Sequence, residues 1–413
     1  MLIITELYYP EDTSTGYFLT GIAEGLAAAG VPVRVLCAQP SYRLKGVEAP
    51  ELEMRAGVAI RRVRAPAGDK NKLWHRAWLA LGLTWRFALA IREELRAGEV
   101  VLVVTNPPTL PWVVAWLAHR RGAKAHLLVH DVYPDVLVPT GLAKKGSFVF
   151  RLIDALQRWA WPRFDAVVVL GRDMRARVLC KCPQLDGRVH IIPNWGDLNA
   201  VPSLPRRGNR LRERLGIQQA FVVQFSGNLG RTHGVDDLLA LAARMQGEPR
   251  VHFLVYGWGA GRPLIEQAVA SGALPNLTLL PPCERDELAE YLNACDLFFL
   301  PFKAGMEGIS VPSRLYNVLA AGNPVLAVAG DNSELAMVVE EEEIGWVIAP
   351  GNIEGMALAV GEALSNDQKL LAMRGRARAS AEKRYSRERV VRDFVNLVNA
   401  EQAGCNSLPV ETV

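Results

Sequence analysis

The chain alternates short Val/Ile/Leu-rich runs with longer amphipathic segments, and it does so through two successive cycles. Runs at residues 2–5, 33–37, 100–105, 126–129, 166–170 and 190–192 are apolar at nearly every position. A strand covered on one face alternates apolar with polar; a continuous run means burial on both faces, the habit of a parallel sheet. Helical periodicity fills the gaps at 18–29, 72–96, 110–121, 147–161 and 173–179. Parallel neighbours need such crossovers, so this half predicts a doubly wound α/β domain. A polar, proline-bearing stretch at 194–207 interrupts the rhythm. Strand runs at 221–226, 251–256, 277–280, 297–300 and 325–328 then alternate with helices at 235–245, 262–270, 285–294 and 313–321, before helices at 353–365, 367–385 and 387–400. The expected organisation is a domain over 1–195, a second over 196–386, a final helix over 387–400 and a frayed tail over 401–413.

Half of the 413 residues are apolar, enough for two cores and against disorder. Six cysteines without a paired C-x-x-C spacing fit a reducing compartment better than a disulfide scaffold. Charge is uneven: residues 1–200 carry 26 Lys+Arg against 18 Asp+Glu, the remainder 21 against 25. The basic half points towards an anionic surface or substrate on that side. The apolar start at 1–7 ends in Glu6 and lacks a basic lead, so it reads as a core strand and not as a secretory signal. No run is long and uninterrupted enough to span a bilayer.

Chemistry concentrates in the loops after strand runs. The stretch EGISVPSRLYNVLAAGNP, 307–324, holds Pro312 and Ser313 as a helix start, with Gly322 and Pro324 as its end. Backbone N–H groups of Gly308, Ile309, Ser310 and Val311, the helix dipole and Arg314 would converge on one spot suited to a phosphate. Arg314 is expected there as a loop arginine that contributes little packing. Thr13–Gly16 follows the first strand, where small residues admit a ligand close to the backbone. GNLGRTHG, 227–234, opens the second cycle with Gly227, Asn228, Arg231 and His233. YGWG at 256–259 reads as a tight turn, and LPP at 280–282 ends in Pro282. VHDVYPD, 129–135, brings Asp131 and Asp135 to a strand end, where a carboxylate could orient or deprotonate a hydroxyl; a cap or turn role is the alternative for Asp135.

Taken in order, these motifs resemble the retaining glycosyltransferases of family 4, which have the GT-B fold of two facing Rossmann-like domains. The VPS(K/R) loop at 311–314 and IPNW-x-D at 192–197 are similar to the subgroup that builds bacterial surface polysaccharides. The resemblance implies a nucleotide-diphosphate sugar donor, a UDP-sugar foremost, bound in the cleft between the domains, and a lipid-linked glycan acceptor. It implies Glu307 on sugar hydroxyls, Arg314, Ser313 and the Gly308–Val311 amides on the diphosphate, the loop at Gly16 near the phosphates, and Pro282 in the base-reading loop. Asp131 matches the subgroup's acceptor-side aspartate. It also implies retention by front-side attack, the leaving diphosphate helping to take the acceptor proton, and a last helix returning to the first domain. Three positions depart from the family: Asn228 and His233 stand where an arginine and a lysine hold the diphosphate, and Asn317 where a carboxylate binds ribose. Arg231 and Arg314 are candidates to supply the missing charge. No DxD-type cluster is placed to hold a metal, so no metal or other cofactor is expected, and nothing points to nucleic acid. An epimerase acting on UDP-N-acetylglucosamine and a catalytically degenerate GT-B partner subunit stay open as alternatives.

One further pattern concerns location. Trp74, Trp78, Leu81, Trp85 and Leu89 share a helix face, with Arg76, Arg86 and Arg92 nearby and Lys70 and Lys72 before them. This stripe either packs on the sheet or meets an anionic bilayer interface. The second reading places the protein on the cytoplasmic side, peripheral on the inner membrane face.

Overall fold

The computed structural model describes residues 1–40, 48–64 and 73–405, without the side chains of 73–77 and 401–405. It forms two compact units: Met1–Asp135 with Lys144–Pro193 and the chain from Arg387, and Val136–Ala143 with Asn194–Ser386. The segment 136–143 therefore groups with the second unit, although sequence order predicts it in the first domain.

The first unit runs β1 (Leu2–Thr5), α1 (Ser14–Ala28), β2 (Arg34–Ala38), β3 (Leu52–Arg55), β4 (Val58–Val63), α2 (Leu73–Glu94), β5 (Val100–Val104), α3 (Leu110–Arg121), β6 (Lys124–Val129), α4 (Phe148–Ala160), β7 (Ala166–Val169), α5 (Arg172–Lys181) and β8 (Val189–Ile191). Its sheet has the order β3-β4-β2-β1-β5-β6-β7-β8, parallel throughout except for the β3–β4 hairpin. The order reverses between β1 and β5, so the crevice beyond their carboxyl ends is where a doubly wound sheet accepts a ligand. The uninterrupted apolar runs are buried at every position in β1, β5 and β7, as two-sided covering requires.

The second unit runs α6 (Arg210–Leu215), β9 (Phe221–Asn228), α7 (Val235–Arg244), β10 (Val251–Trp258), α8 (Arg262–Ala270), β11 (Leu277–Leu280), α9 (Leu288–Asn293), β12 (Leu297–Pro301), α10 (Arg314–Ala320), β13 (Val325–Val328), α11 (Glu334–Glu341), β14 (Gly345–Ile348), α12 (Ile353–Ser365) and α13 (Asp367–Arg384). Its sheet is wholly parallel, in the order β11-β10-β9-β12-β13-β14. Here the order reverses at β9, next to β12.

The chain then enters α14 (Arg387–Cys405), which packs on α1 within the first unit. Gly25 makes that approach possible, because a Cβ there would stand 2.5 Å from Val391. The helix continues past Ala400, so residues 401–405 belong to it and not to a frayed tail; 406–413 lie outside the described residues.

Candidate active site

In the first unit the polar groups gather at the β1/β5 reversal. Thr105, just past β5, accepts through Oγ1 from the N–H groups of His130 (3.1 Å) and Asp131 (3.4 Å). Thr15 Oγ1 lies 3.3 Å from His130 Nδ1. The other ring nitrogen, Nε2, is buried with no protein partner. Burial pushes His130 down to about 4, so it is neutral at pH 7. The same desolvation pushes Asp131 up to about 6, and among the described residues no ion pair reaches its carboxylate. Asp135 is different: Lys181 Nζ holds it at 2.6 Å and Arg177 at 3.6 Å, and Lys181 also bonds Asp154 at 2.5 Å. That carboxylate fixes the loop against α5, while Asp131 stays available.

Gly16 corrects one expectation. Ser14–Gly16 are the first turn of α1 and not an open loop; Thr13 caps the helix, and Gly16 N–H donates to its Oγ1 at 3.2 Å. A Cβ at Gly16 would stand 2.5 Å from the Glu11 carbonyl oxygen, so the glycine answers to packing.

In the second unit Arg314, the first residue of α10, reaches across to the end of β9. Its Nη1 donates to Ser226 O (2.6 Å) and its Nη2 to Asn228 O (2.7 Å), and the guanidinium lies 4.9 Å from the Phe225 ring centroid. These bonds straddle Gly227, whose φ is +101° and whose Cβ, were there one, would lie 3.3 Å from Arg314 Cζ. Opposite it, Gly257 has φ +140°, and a Cβ there would stand 1.9 Å from Gly227 O. Only glycines permit this. YGWG is thus the end of β10, not a turn of its own.

Nη2 also lies 3.1 Å from His233 Nε2. Guanidinium cannot accept, so Nε2 offers a lone pair, and the proton on Nδ1 faces Thr232 Oγ1 at 3.2 Å. Burial, and after it the Arg314 charge, hold His233 well below its usual range, so it is neutral. Burial lowers Arg314 to about 10, which leaves it cationic at pH 7. Arg314 is therefore half-buried and stitched to backbone, contrary to a loop arginine of little packing value. Arg231 and Asn228 are exposed at the same strand end.

The loop before α10 is anchored by buried Met306, Ile309 and Val311, with Ser310 half-buried between them. Gly308 adopts φ +69°, and Ile309 N–H donates to Met306 O at 3.1 Å, so that amide is taken by the turn and does not point at a ligand. Ser313 precedes the helix without a side-chain cap bond. The Glu307 carboxylate lies against Gly330, just past β13, where a Cβ would come within 2.2 Å of Oε1.

Asn317 departs from the expected ribose role. Its Oδ1 accepts from Asp197 N–H at 2.9 Å, tying α10 to the 194–197 stretch. The chain also packs there at Gly196, where a Cβ would stand 2.3 Å from Tyr316 O. Pro282 is exposed; beside it, Leu280 O accepts from Arg262 Nη1 (3.0 Å), which also bonds Gly257 O (2.6 Å). Arg262, Gly330 and Thr105 escape sequence reading, since their partners lie up to 26 residues away or reach them through side-chain packing. Among the described residues no group of three or more His, Cys, Asp or Glu is arranged to hold a metal.

Of the face proposed for a membrane, Trp78 and Trp85 are 61% and 67% exposed, so they are not core. Arg86 and Arg92 are exposed beside them, Arg86 donating to Arg64 O at 2.6 Å. The side chains of Trp74 and Arg76, and Lys70 and Lys72, lie outside the described residues. No described helix is long and apolar enough to cross a membrane.

Two family models match in tandem, a glycosyl transferase 4-like domain over 15–195 and the glycosyl transferases group 1 over 209–381. Among curated relatives, the "Probable glycosyltransferase WbjE" of Pseudomonas aeruginosa is 29% identical over 94% of both chains. WcaI of Escherichia coli, whose name assigns it to colanic acid biosynthesis, is 26% identical over 94% of this chain and 97% of its own. Among solved structures, sucrose-phosphate synthase of Thermosynechococcus elongatus superposes with a TM-score of 0.76 at 16% identity, covering 98% and 99% of the two chains. Anabaena HepE in complex with UDP-glucose gives 0.70 at 16% identity, covering 97% and 100%. With two parallel α/β units, each bearing polar loops at its sheet's point of reversal, and both family models matched in order, the chain belongs to the family 4 type of glycosyltransferases and has the GT-B fold.

Proposed function

We propose that this glycosyltransferase moves a sugar from a nucleotide-diphosphate donor, a UDP-sugar foremost, to a hydroxyl of a lipid-linked glycan in surface polysaccharide assembly. The anomeric configuration is retained, no metal ion takes part, and the protein works peripherally on the inner face of the cytoplasmic membrane. The observation that carries the donor reading is the Arg314 guanidinium, cationic and fixed beside the glycine backbone at the end of β9. Three of its five N–H groups are taken by Ser226 O, Asn228 O and His233 Nε2, so a diphosphate at this strand end meets a fixed positive charge and the donors that remain, which stabilises the charge that develops as it leaves. The names of HepE's UDP-glucose complex and of WcaI support the donor and the pathway class.

In this reading Glu307 accepts from sugar hydroxyls and Asp131 orients the acceptor hydroxyl. The acceptor oxygen bonds to the anomeric carbon as the bond from that carbon to the diphosphate oxygen breaks, and the acceptor proton passes to the departing diphosphate. The test is incubation with UDP-, GDP- and dTDP-sugars and a membrane lipid extract, with products read by mass. A lipid of one added sugar mass is expected. A changed sugar nucleotide without any acceptor product would mean epimerisation; no change to any donor would mean a non-catalytic subunit.

A further inference from the structure

We propose that α2, α3 and α4 together form a docking surface for an anionic lipid bilayer. The inference rests on the peripheral location proposed above and names the surface responsible. It begins with topology: β4→β5, β5→β6 and β6→β7 all progress in one direction across the first sheet, so right-handed crossovers put α2, α3 and α4 on the same face. The helices are neighbours in that order, α2 against α3 and α3 against α4.

Each buries one side and shows large apolar groups on the other. In α2, Leu79, Leu83, Phe87 and Ile91 are buried, while Trp78, Leu81, Trp85 and Leu89 are exposed. In α3, Trp116 is exposed. In α4, Phe148, Leu152 and Trp159 recur at spacings of four and seven on its outer side, with Val149 beside them, and Phe148 is 80% exposed. An apolar surface continued over three helices marks an interaction site.

Charge selects the occupant. Arg86, Arg92, Arg120, Arg121, Arg151 and Arg158 lie on these helices, and exposed Lys144 and Lys145 precede α4. Arg120 lies over the Trp116 ring and Arg163 over the Trp159 ring, each at 4.3 Å. The three helices contain three carboxylates, and each is paired within the protein: Glu93 with Arg61, Glu94 with Arg34 and Arg61, Asp154 with Lys181 and Arg158. A face of aromatic and aliphatic groups, edged by cations with its anions already neutralised, matches an anionic interface, where ring bodies enter the headgroup layer and Arg/Lys meet phosphates.

The experiment is co-sedimentation of the full chain with phosphatidylcholine vesicles, with and without phosphatidylglycerol. The native protein should bind the anionic vesicles and be released by salt. A triple variant, Phe148→Ser with Leu152→Ser and Lys145→Gln, should bind at least about tenfold more weakly. Its thermal unfolding should match the native protein's, because all three side chains are exposed. Unchanged binding by this variant, with binding lost in Trp78→Ser/Trp85→Ser, would overturn the three-helix surface and leave the peripheral location to α2 alone. No binding by the native chain to either vesicle would overturn both. A native dimer in sedimentation velocity that the triple variant dissociates, without vesicle binding, would assign the face to a second copy of the chain and overturn the bilayer. Donor hydrolysis assayed in detergent-free buffer reports on the donor site separately.

Discussion

The two strand-end sites solve opposite problems. At the β9 end the cation is locked: Arg314 donates to two backbone carbonyls and to His233, and glycines at 227, 257 and 330 clear the space around it and Glu307. At the β1/β5 reversal the groups are desolvated but sparsely held, with His130 Nε2 unpartnered and Asp131 raised towards neutrality. A site that must stabilise a large, invariant charge gains from preorganised donors. One that must engage a variable hydroxyl gains from groups whose hydrogen bonds are completed by the incoming molecule. In the function proposed above, the first suits the diphosphate and the second the acceptor hydroxyl.

The largest effect that tests this contrast should come from Arg314→Ala. It removes the phosphate contact proposed above and leaves the carbonyls of Ser226 and Asn228 without their donor. Loss of charged hydrogen bonds at a half-buried site should cost about 2–4 kcal/mol of stability, a fall in Tm of roughly 2–4 °C per kcal/mol in a unit of this size. Transfer should fall by about a hundredfold or more. Arg314→Lys keeps the charge but not the fork, and should recover less than a tenth of the lost rate. Full recovery in Lys would show that a point charge suffices and that the locked geometry is incidental.

Asp131→Asn tests the loosely held site. Its expected signature is opposite in sign for stability and activity. Because burial raises the folded carboxyl to about 6, the folded state binds a proton between about pH 4 and 6 that the unfolded state has released. Stability from this group is therefore present below about 4 and is lost as pH rises to 6. The Asn variant should be more stable than the native protein above pH 6, with the difference closing towards pH 4. His130, held near 4, destabilises the fold as pH drops below its unfolded value, but it does so in both proteins and cancels in the difference. Transfer should fall about a hundredfold, in the range of a misplaced reacting group, because the acceptor hydroxyl loses the carboxylate proposed to orient it. The native rate should rise through about pH 6 where the variant's stays flat. Equal Tm profiles for the two proteins would remove Asp131 from any buried, titrating role.

Gly330→Ala should act more mildly and on one side of the comparison only. The new methyl would press on the Glu307 carboxylate, a flexible end that can move. KM for the donor should rise severalfold with kcat less affected, since displacing the group proposed to bind sugar hydroxyls weakens ground state and transition state alike. A change in acceptor KM alone would place Glu307 on the other substrate.

Much of the fold was legible because strands buried on both faces leave no polar alternation, as in 100–104 and 166–169. The elements that escaped were those breaking that rule. β3 turns Leu52 and Met54 outward, and its hairpin to β4 carries Ala56 at φ +47° before Gly57, where a turn signature would show Asn or Asp. β14 is half-buried and begins at Gly345, where a Cβ would stand 1.8 Å from Val325 O. For the α11 start a signal was present: Ser333 accepts from Ala336 N–H as an N-cap. At the β9 end, the local motif showed Arg314 beside a helix start. What Arg314 holds was not legible there, because Ser226 and Asn228 come to it from 88 and 86 positions away. A longer separation, 115 positions, hides the pairing of Thr15 with His130.

Asn317 should give the smallest effect, and one that shows whether the locked site extends to the end of its helix. Its Oδ1 is occupied by Asp197 N–H, so Asn317→Ala should cost about 1 kcal/mol by loosening that stretch, seen as a small fall in Tm. Donor affinity should change little if the side chain serves only as a fastener. Asn317→Asp retains an acceptor of the same reach and should restore the stability that Ala loses. Asn317→Glu is the sharper variant: its longer carboxylate overshoots Asp197 N–H and places a charge where the family binds ribose. Tighter donor binding, read by calorimetry with UDP, would show that the ribose position is intact and merely unfilled by the native amide. Equal or weaker binding would show that α10 here has given that position over to holding the chain.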